Sequence, residues 1–439
     1  MVMNSMRKLL SLLLLLSSVR GFAQQTNTDS FDLDQCIQYA YSNSPLLKQS
    51  LLDQEITEHG IKSQLSAWYP QIGFNYNLQH TFQLQSGFNN GNVIQTGAHN
   101  ISYGQFGLTQ NIFNSSAFLA SRSAGEVRKQ AQQNTVANKI DITVNVAKAY
   151  YDVLLTTEQI NVLDENIVRL NQSLQDAYNQ YEAGIVDKVD YKRATISLNN
   201  ATAQRKSSDE LLKAKYSYLK MEMGYADSVT LLLKIEKSDM ETLALADTSA
   251  NLALENRIEY KQLLTQKRLQ ELNYDYYKWQ FIPTVQGYAN YNLNYFNNTF
   301  NEVYQNNYPN SFVGISIGVP LFQGFRRVQN MKQAKLQSDR VNYDIDQLKL
   351  EVSTEIAQAL ANYKSNLIEY YNQKTNVELA QDVFNTIELQ YKSGIKTYLD
   401  VITAQTDLRT AELNFTNALY QLLASKFDLE KALGTVTIN

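Results

Sequence analysis

The chain has 439 residues, of which 44% are hydrophobic and 19% charged, with a formal net charge of −4. That acidic balance argues against a nucleic-acid binder, whose electrostatic footprint is basic. The single cysteine, Cys36, excludes an intrachain disulfide.

The first residues read as an export signal. Arg7 and Lys8 precede an apolar run from Leu9 to Leu16, and Gly21-Phe22-Ala23 offers small residues for cleavage before Gln24. The run is far shorter than the ~20 residues a spanning helix needs. Removing residues 1–23 takes away Arg7, Lys8 and Arg20 and no acid, so the net charge moves from −4 to −7. No apolar run of spanning length follows, so an exported chain of this kind is either soluble or inserts as strands. Cys36 lacks a lipoprotein context and reads as a small buried thiol on the first helix.

The remainder is a tandem duplication. YEAGIVDKVDYKRA from Tyr181 matches YKSGIKTYLDVITA from Tyr391, pairing Gly184 with Gly394 and Asp190 with Asp400 at an offset of 210. Pro70 matches Pro283, QNIFNS parallels VPLFQG, and Gly224 matches Gly434. A period near 200 residues is too long for a solenoid unit of ~20–50. The first copy spans 24–224: an opening helix from about Leu33 to Ala67, a β-hairpin over 70–113, a long helix over 115–182, a tip at 183–189 and a helix over 190–224. A linker over 225–250 leads to the second copy, 251–434. That copy has a helix from about Leu252 to Lys278, a hairpin over 283–322, a long helix over 324–393, a tip at 394–398 and a helix over 399–434, before a tail at 435–439. Pro70, Pro283 and Pro320 fall at helix–strand joints and Pro309 in a loop, and no proline is expected to interrupt a long helix.

Segment 73–85 alternates Phe74, Tyr76, Leu78, Phe82 and Leu84 against Asn75, Asn77, Gln79, Thr81, Gln83 and Gln85, a period of two that predicts one strand. Segments 101–113, 284–295 and 312–322 alternate likewise, the first most weakly. A half-buried soluble sheet would show the same pattern. The lengths, near the 9–11 residues of a membrane-crossing strand, and Trp68, Tyr69, Trp279 and Phe281, clustered where an interfacial aromatic girdle would lie, favour lipid. Four strands alone cannot close, and open edges are not tolerated in hydrocarbon. Loops 86–97 and 296–310, rich in Asn and Gly, look solvent-exposed.

Each long helix would reach roughly 100 Å and needs lateral support. In the last helix Val401, Ala404, Leu408, Ala411, Phe415, Ala418, Leu422, Ser425, Leu429 and Ala432 keep a 3-4 spacing, a coiled-coil seam. A second stripe runs through Leu399, Thr406, Leu413, Tyr420 and Phe427, which predicts neighbours on two sides. Its counterpart in the first copy repeats Ala194, Ala201 and Ser208, interrupted by Arg205 and Lys215.

Together these features resemble the TolC family of outer-membrane efflux and secretion channels, over nearly the whole chain after the signal. The resemblance rests on the duplication, the two hairpins, VPLFQG ahead of a long helix, and GIKTYLDVITAQTDLRTAELNF at the bend. It implies a mainly α protein with a β-barrel part: a homotrimer in which each protomer gives four strands to one 12-stranded outer-membrane barrel, continued by a periplasmic α-helical tunnel. The linker would belong to a belt around the tunnel. Gly184, Ile185, Val186, Gly394 and Ile395 would form tips that meet a periplasmic adaptor protein. Asp190, Tyr391 and Lys396 match positions whose polar contacts hold neighbouring coils shut, and Asp400 an acidic ring at the constriction. The position one turn later, acidic in well-studied members, is Thr403 here, so a double acidic ring is not expected. The residues alone also allow a plainer reading: Asp187-x-x-Asp190 and Thr397-x-x-Asp400 look like helix caps, and Gly184 and Gly394 like left-handed helix stops.

No catalytic constellation or phosphate-binding loop stands out. His59, His80 and His99 show no metal-ligand spacing, so neither cofactor nor metal is expected. The reading is a passive duct opened by an adaptor and an inner-membrane pump of the RND or ABC class. An exported coiled-coil fibre would explain the helices but not the hairpins. A periplasmic binding protein would explain the aromatics but not the duplicated helices.

Overall fold

The computed structural model describes residues 30–234, 237–245 and 254–438, so the expected export segment lies outside the described residues. In chain order the elements are α1 (Leu33–Asn43), α2 (Pro45–Leu65), β1 (Gln71–His80), β2 (Gln85–Asn89), β3 (Asn92–Thr96), β4 (Asn100–Phe113), α3 (Ser115–Glu182) and α4 (Lys188–Met223). There follow α5 (Lys237–Leu243), α6 (Ile258–Trp279), β5 (Thr284–Asn297), β6 (Asn310–Gly318), α7 (Arg326–Lys392) and α8 (Tyr398–Leu433).

The opening helix expected from Leu33 to Ala67 is two helices. Asp32 starts α1 with a capping box, accepting from the Gln35 amide at 2.8 Å while the Gln35 side chain accepts from the Asp32 amide at 3.0 Å. Proline then ends it: the residue before a proline avoids the helical region, Ser44 is extended, and Pro45 takes the first turn of α2, where its missing N–H costs nothing. The second copy also breaks, with a short 3-10 turn over Leu254–Asn256 and an extended Arg257 before α6.

β1, β4, β5 and β6 form one antiparallel sheet in the order β1-β4-β5-β6. The register decides which residues share a face. Phe74 pairs with Phe106 and Phe106 with Tyr291; Ile72 pairs with Leu108, Leu108 with Ala289, and Ala289 with Val313. The apolar rows of all four strands therefore fall on one face. Amides line the other, where Gln105 donates to Asn290 at 3.3 Å and Asn292 to Asn310 at 2.6 Å. No described helix covers the apolar face of β1 or β6, and Ile72, Phe74, Val313, Ile315 and Ile317 stay exposed. The outer edges of β1 and β6 are unpaired within the protomer.

Three strand expectations change. The strand predicted over 73–85 ends at His80, and the loop expected over 86–97 is largely a separate β2–β3 ribbon turning at Asn90-Gly91, both at positive φ. Local alternation continues past His80, but pairing with β4 begins only at Asn100, so 81–84 has no ladder partner in the sheet. The strand expected over 312–322 stops at Gly318, just before Pro320, which cannot donate. The loop over 296–310 is packed rather than open: Val303 is buried and the rings of Phe296 and Tyr308 stack at 4.3 Å.

α3 and α7, of 68 and 67 residues, each run about 100 Å. α2 and α4 both pack on α3, and α6 and α8 both pack on α7. The partner helices meet end to end. Gly224 closes α4 at φ +66, and a Cβ there would lie 2.6 Å from the Asn43 carbonyl oxygen beside α2. Gly434 closes α8 at φ +70 against Asn256 and Arg257 beside α6. Both duplicated glycines are thus required by left-handed backbone, and Gly224 also by lack of room.

In α8 the expected seam is largely buried, including Val401, Ala404, Leu408, Leu422 and Leu429. The second buried face within the protomer runs through Gln405, Thr416, Leu419 and Leu423; of the expected stripe, Leu399 and Thr406 remain exposed, Leu413 is half-buried, and Tyr420 and Phe427 pack partly buried on the core. α8 rests on both α3 and α7, and the direction of α3 selects that face. Arg205 and Lys215 do not break the packing of α4, because acids on α3 meet them: Arg205 pairs with Asp164 at 3.0 Å and Lys215 with Asp152 at 2.6 Å.

The largest core sits mid-length, where α1, α3, α4, α7 and α8 meet the linker. Phe31 exchanges backbone hydrogen bonds with Leu232 and Lys234. α5 is tied to α7 through Glu241, which accepts from Tyr370 and Lys374, each at 2.7 Å. Cys36 lies in this core, and burial pushes its thiol up to about 12.

Candidate functional site

The far ends of the two helical hairpins are built alike. At the first, the Ile185 amide donates to the Gln180 carbonyl at 2.9 Å and the Gly184 amide to the Tyr181 carbonyl at 2.9 Å. At the second, Ile395 donates to Gln390 at 2.8 Å and Gly394 to Tyr391 at 2.9 Å. This is a Schellman stop, which needs a left-handed residue at its centre; Gly184 and Gly394 supply it at φ +72 and +74. The motif turns Ile185 and Ile395 outward, each 72% exposed, with Val186 half-buried. Isolated exposed isoleucines are ordinary, but here both occupy equivalent points of two adjacent turns.

The helices that follow are capped by the predicted residues. The Asp187 carboxylate accepts from the Val189 amide at 3.2 Å. Thr397 and Asp400 form a full capping box: the Asp400 carboxylate accepts from the Thr397 amide at 2.9 Å and its hydroxyl at 2.8 Å. Those hydrogen bonds, side chain first, with Lys396 adding its charge at 4.0 Å, hold the Asp400 carboxyl below its ordinary range. Within the protomer Asp400 is therefore occupied by its own helix start, and Lys396 turns to Asp400 rather than to Asp190.

Tyr391 and Tyr398 join the two hairpins. The Tyr391 hydroxyl donates to Gln180 at 3.2 Å. Tyr398, only 2% exposed, sits among Ala177 of α3, Ala194 of α4 and the partly buried Leu174, Tyr191, Tyr391 and Ile402. Burial, then Tyr391, Asp190 and Asp176, raise the Tyr398 phenol. Burial raises Tyr391 too, opposed by its bond to Gln180, with Asp176 and Asp190 adding to the rise. Half-buried Asp190 thus lies beside both phenols, not beside Lys396. Sequence reading passed over Gln180 and Tyr398 as joining residues. The legible signal was a large ring at the first position of α8 facing alanines at 177 and 194.

At the opposite end of the long helices, the four aromatic residues divide. Trp68 donates its indole N–H to the Ala117 carbonyl at 3.1 Å and to Ser121 at 2.8 Å, and Trp279 packs edge-on against Phe118 at 4.6 Å. Both fasten to α3 the helix ends that lead into the sheet. Tyr69 and Phe281 are exposed, with the Arg327 guanidinium 4.7 Å over the Phe281 ring.

No described helix is long and apolar enough to cross a membrane. An open-edged four-stranded sheet, apolar on one face and continuous with two 100 Å hairpins, is the build of a channel stave rather than of a closed soluble domain. The chain belongs to the outer membrane efflux protein family, whose model matches it twice, at 36–221 and 250–435. It is 24% identical over 464 residues to Outer membrane protein TolC of Escherichia coli, covering 98% of this chain and 87% of that protein. It is 21% identical to Alkaline protease secretion protein AprF of Pseudomonas aeruginosa, over 88% of this chain and 81% of that one. The outer membrane protein VceC of Vibrio cholerae shares its fold, with a TM-score of 0.73 at 15% identity, over 92% of this chain and 96% of that one.

Proposed function

We propose that this protein is the outer-membrane exit duct of a tripartite efflux or type I secretion system, working as a homotrimer with a periplasmic adaptor and an inner-membrane pump. The observation that carries the reading is the sheet: β1 and β6 present unpaired edges and an uncovered apolar face. Three copies joined β6 to β1 would satisfy every edge, put the apolar face on lipid and leave the amide face on the lumen. In that assembly the exposed stripe Leu399 and Thr406 would meet the next protomer. Asp190, Tyr391, Lys396 and Asp400 would surround the periplasmic aperture, and Gly184, Ile185, Val186, Gly394 and Ile395 would form its adaptor-facing rim. Tyr69 and Phe281 supply the outward girdle, with Trp68 and Trp279 behind them. The related names include both efflux and protease secretion.

Replacing both Ile185 and Ile395 by Asp tests the rim. Outer-membrane fractionation and a heat-labile trimer on mild-detergent gels should be unchanged, while export, measured as resistance to toxic compounds or as secreted protein, falls at least about tenfold, as for loss of paired apolar anchors. A soluble monomer in the unmodified protein would sink the duct; full export by the double variant would sink the rim assignment.

A further inference from the structure

The β part of the chain is almost without charge. No Lys, Arg, Asp or Glu lies between Lys62 and Arg122, and only Glu302 between Lys278 and Arg326. Two of the protein's three histidines stand in this neutral region, and the fold brings them together at the end of the sheet remote from the helices. His80 ends β1, His99 precedes β4, and their rings lie 6.2 Å apart with planes inclined by 25°.

Their hydrogen bonds set the tautomers. His99 Nδ1 is 2.7 Å from the Thr81 carbonyl, which can only accept, so Nδ1 carries the proton. Buried Asn100 donates its amide to the Asn297 and Asn298 carbonyls at 3.1 and 3.0 Å, which turns its oxygen towards His80 Nδ1 at 2.6 Å. His80 therefore also donates from Nδ1. Each neutral ring is left with a lone pair on Nε2, and no hydrogen bond among the described residues engages either one. A ring N–H tied to an oxygen acceptor, with the other nitrogen free, is the arrangement of a metal-binding histidine. With metal–nitrogen bonds of about 2.0–2.1 Å, two imidazoles on one ion hold their centroids about 4.5 Å apart when cis and about 6.3 Å apart when trans, so the 6.2 Å here suits ligands on opposite sides of the ion.

We propose that His80 and His99 form a two-imidazole site for a divalent transition metal ion, with Cu2+ bound most tightly and water completing the coordination. The described residues hold no group of three or more His, Cys, Asp or Glu able to take a metal, so the affinity is modest and no carboxylate favours hard ions such as Mg2+ or Ca2+. The site spans the two legs of the β2–β3 ribbon, 81–84 and 97–99, so a bound ion ties the ribbon to the rim of the sheet. The spacing in sequence did not announce this pair; the antiparallel return of β4 creates it.

The test is titration of the detergent-solubilised full chain, free of any affinity tag, with CuSO4. Calorimetry should give one Cu2+ per protomer, and electron paramagnetic resonance should show coupling to imidazole nitrogen. His80→Gln and His99→Gln should each weaken binding at least about tenfold, while substitution of the exposed His59 on α2, His59→Gln, should leave it unchanged. Binding that survives both rim substitutions, or no saturable binding below about 100 µM, would overturn the site. Thermal unfolding of each variant, equal to that of the unmodified protein, separates lost ligation from lost structure.

Discussion

Replacing Tyr398 by Ala should raise single-channel conductance in planar bilayers several-fold, and Tyr398→Phe should not. The ring fills the space between Ala177 and Ala194, at the one place where α8 reaches both helices of the first hairpin near its tip. Truncating a buried aromatic ring costs roughly 3–5 kcal/mol because the cavity cannot fully collapse. Ala177 and Ala194 themselves have no further side chain to extend into it. The hydroxyl makes the experiment selective. It is buried without a hydrogen-bond partner, and an unpartnered buried polar atom is a cost of about 1–3 kcal/mol. Tyr398→Phe should therefore leave the tip as tight or tighter, seen as unchanged conductance and slower amide exchange over 177–198. A Phe variant as leaky as the Ala variant would mean that the hydroxyl finds a partner in the trimer. An Ala variant with normal conductance would show that the hairpin contact does not limit the aperture.

Arg257→Met should lower stability by about 1–3 kcal/mol, as for buried polar groups left without their hydrogen-bond partner. Arg257 is 5% exposed, and its guanidinium donates to the carbonyls of Lys431 and Ala432 at 3.2 and 2.7 Å. It also pairs with Glu355 at 2.8 Å and Glu259 at 3.0 Å. Its charge faces the negative end of α8, and its fork satisfies carbonyls that have no partner within the helix. Removing it leaves the Lys431 and Ala432 carbonyls without their donor and Glu259 and Glu355 without their cation. Arg257→Lys should recover only part of the loss, since an ammonium cannot reproduce the planar fork. A lowered thermal midpoint, with exchange accelerated first at 429–434, is the expected result; a midpoint within error of the unmodified protein would remove Arg257 from any structural role. Because the joint lies far from the tips, conductance of intact trimers should not change.

The β-strands and long helices were legible because their signals are local. Period-two alternation marked β1 and β5, the absence of proline and near absence of glycine marked α3 and α7, and Gly184 and Gly394 marked the turns where only a left-handed backbone fits. Pro45 carried an equally local signal for the break between α1 and α2, which the helical pattern around it masked. The caps at Asp187 and Thr397 were readable for the same reason. Other features had no local signal. The end of β1 at His80 depends on where β4 begins to pair. The buried face of α8 depends on the direction from which α3 arrives. Neither Gln180 with Tyr391 nor His80 with His99 stands at a recognisable spacing.

By itself, then, the sequence determined the duplicated order of elements, the positions of the turns and the two-faced character of the strands, since each follows from backbone preference or residue period within a short window. The tertiary structure decided which faces are shared, which tyrosine locks the hairpins and which histidines meet, because those depend on register and on contacts between residues distant along the chain.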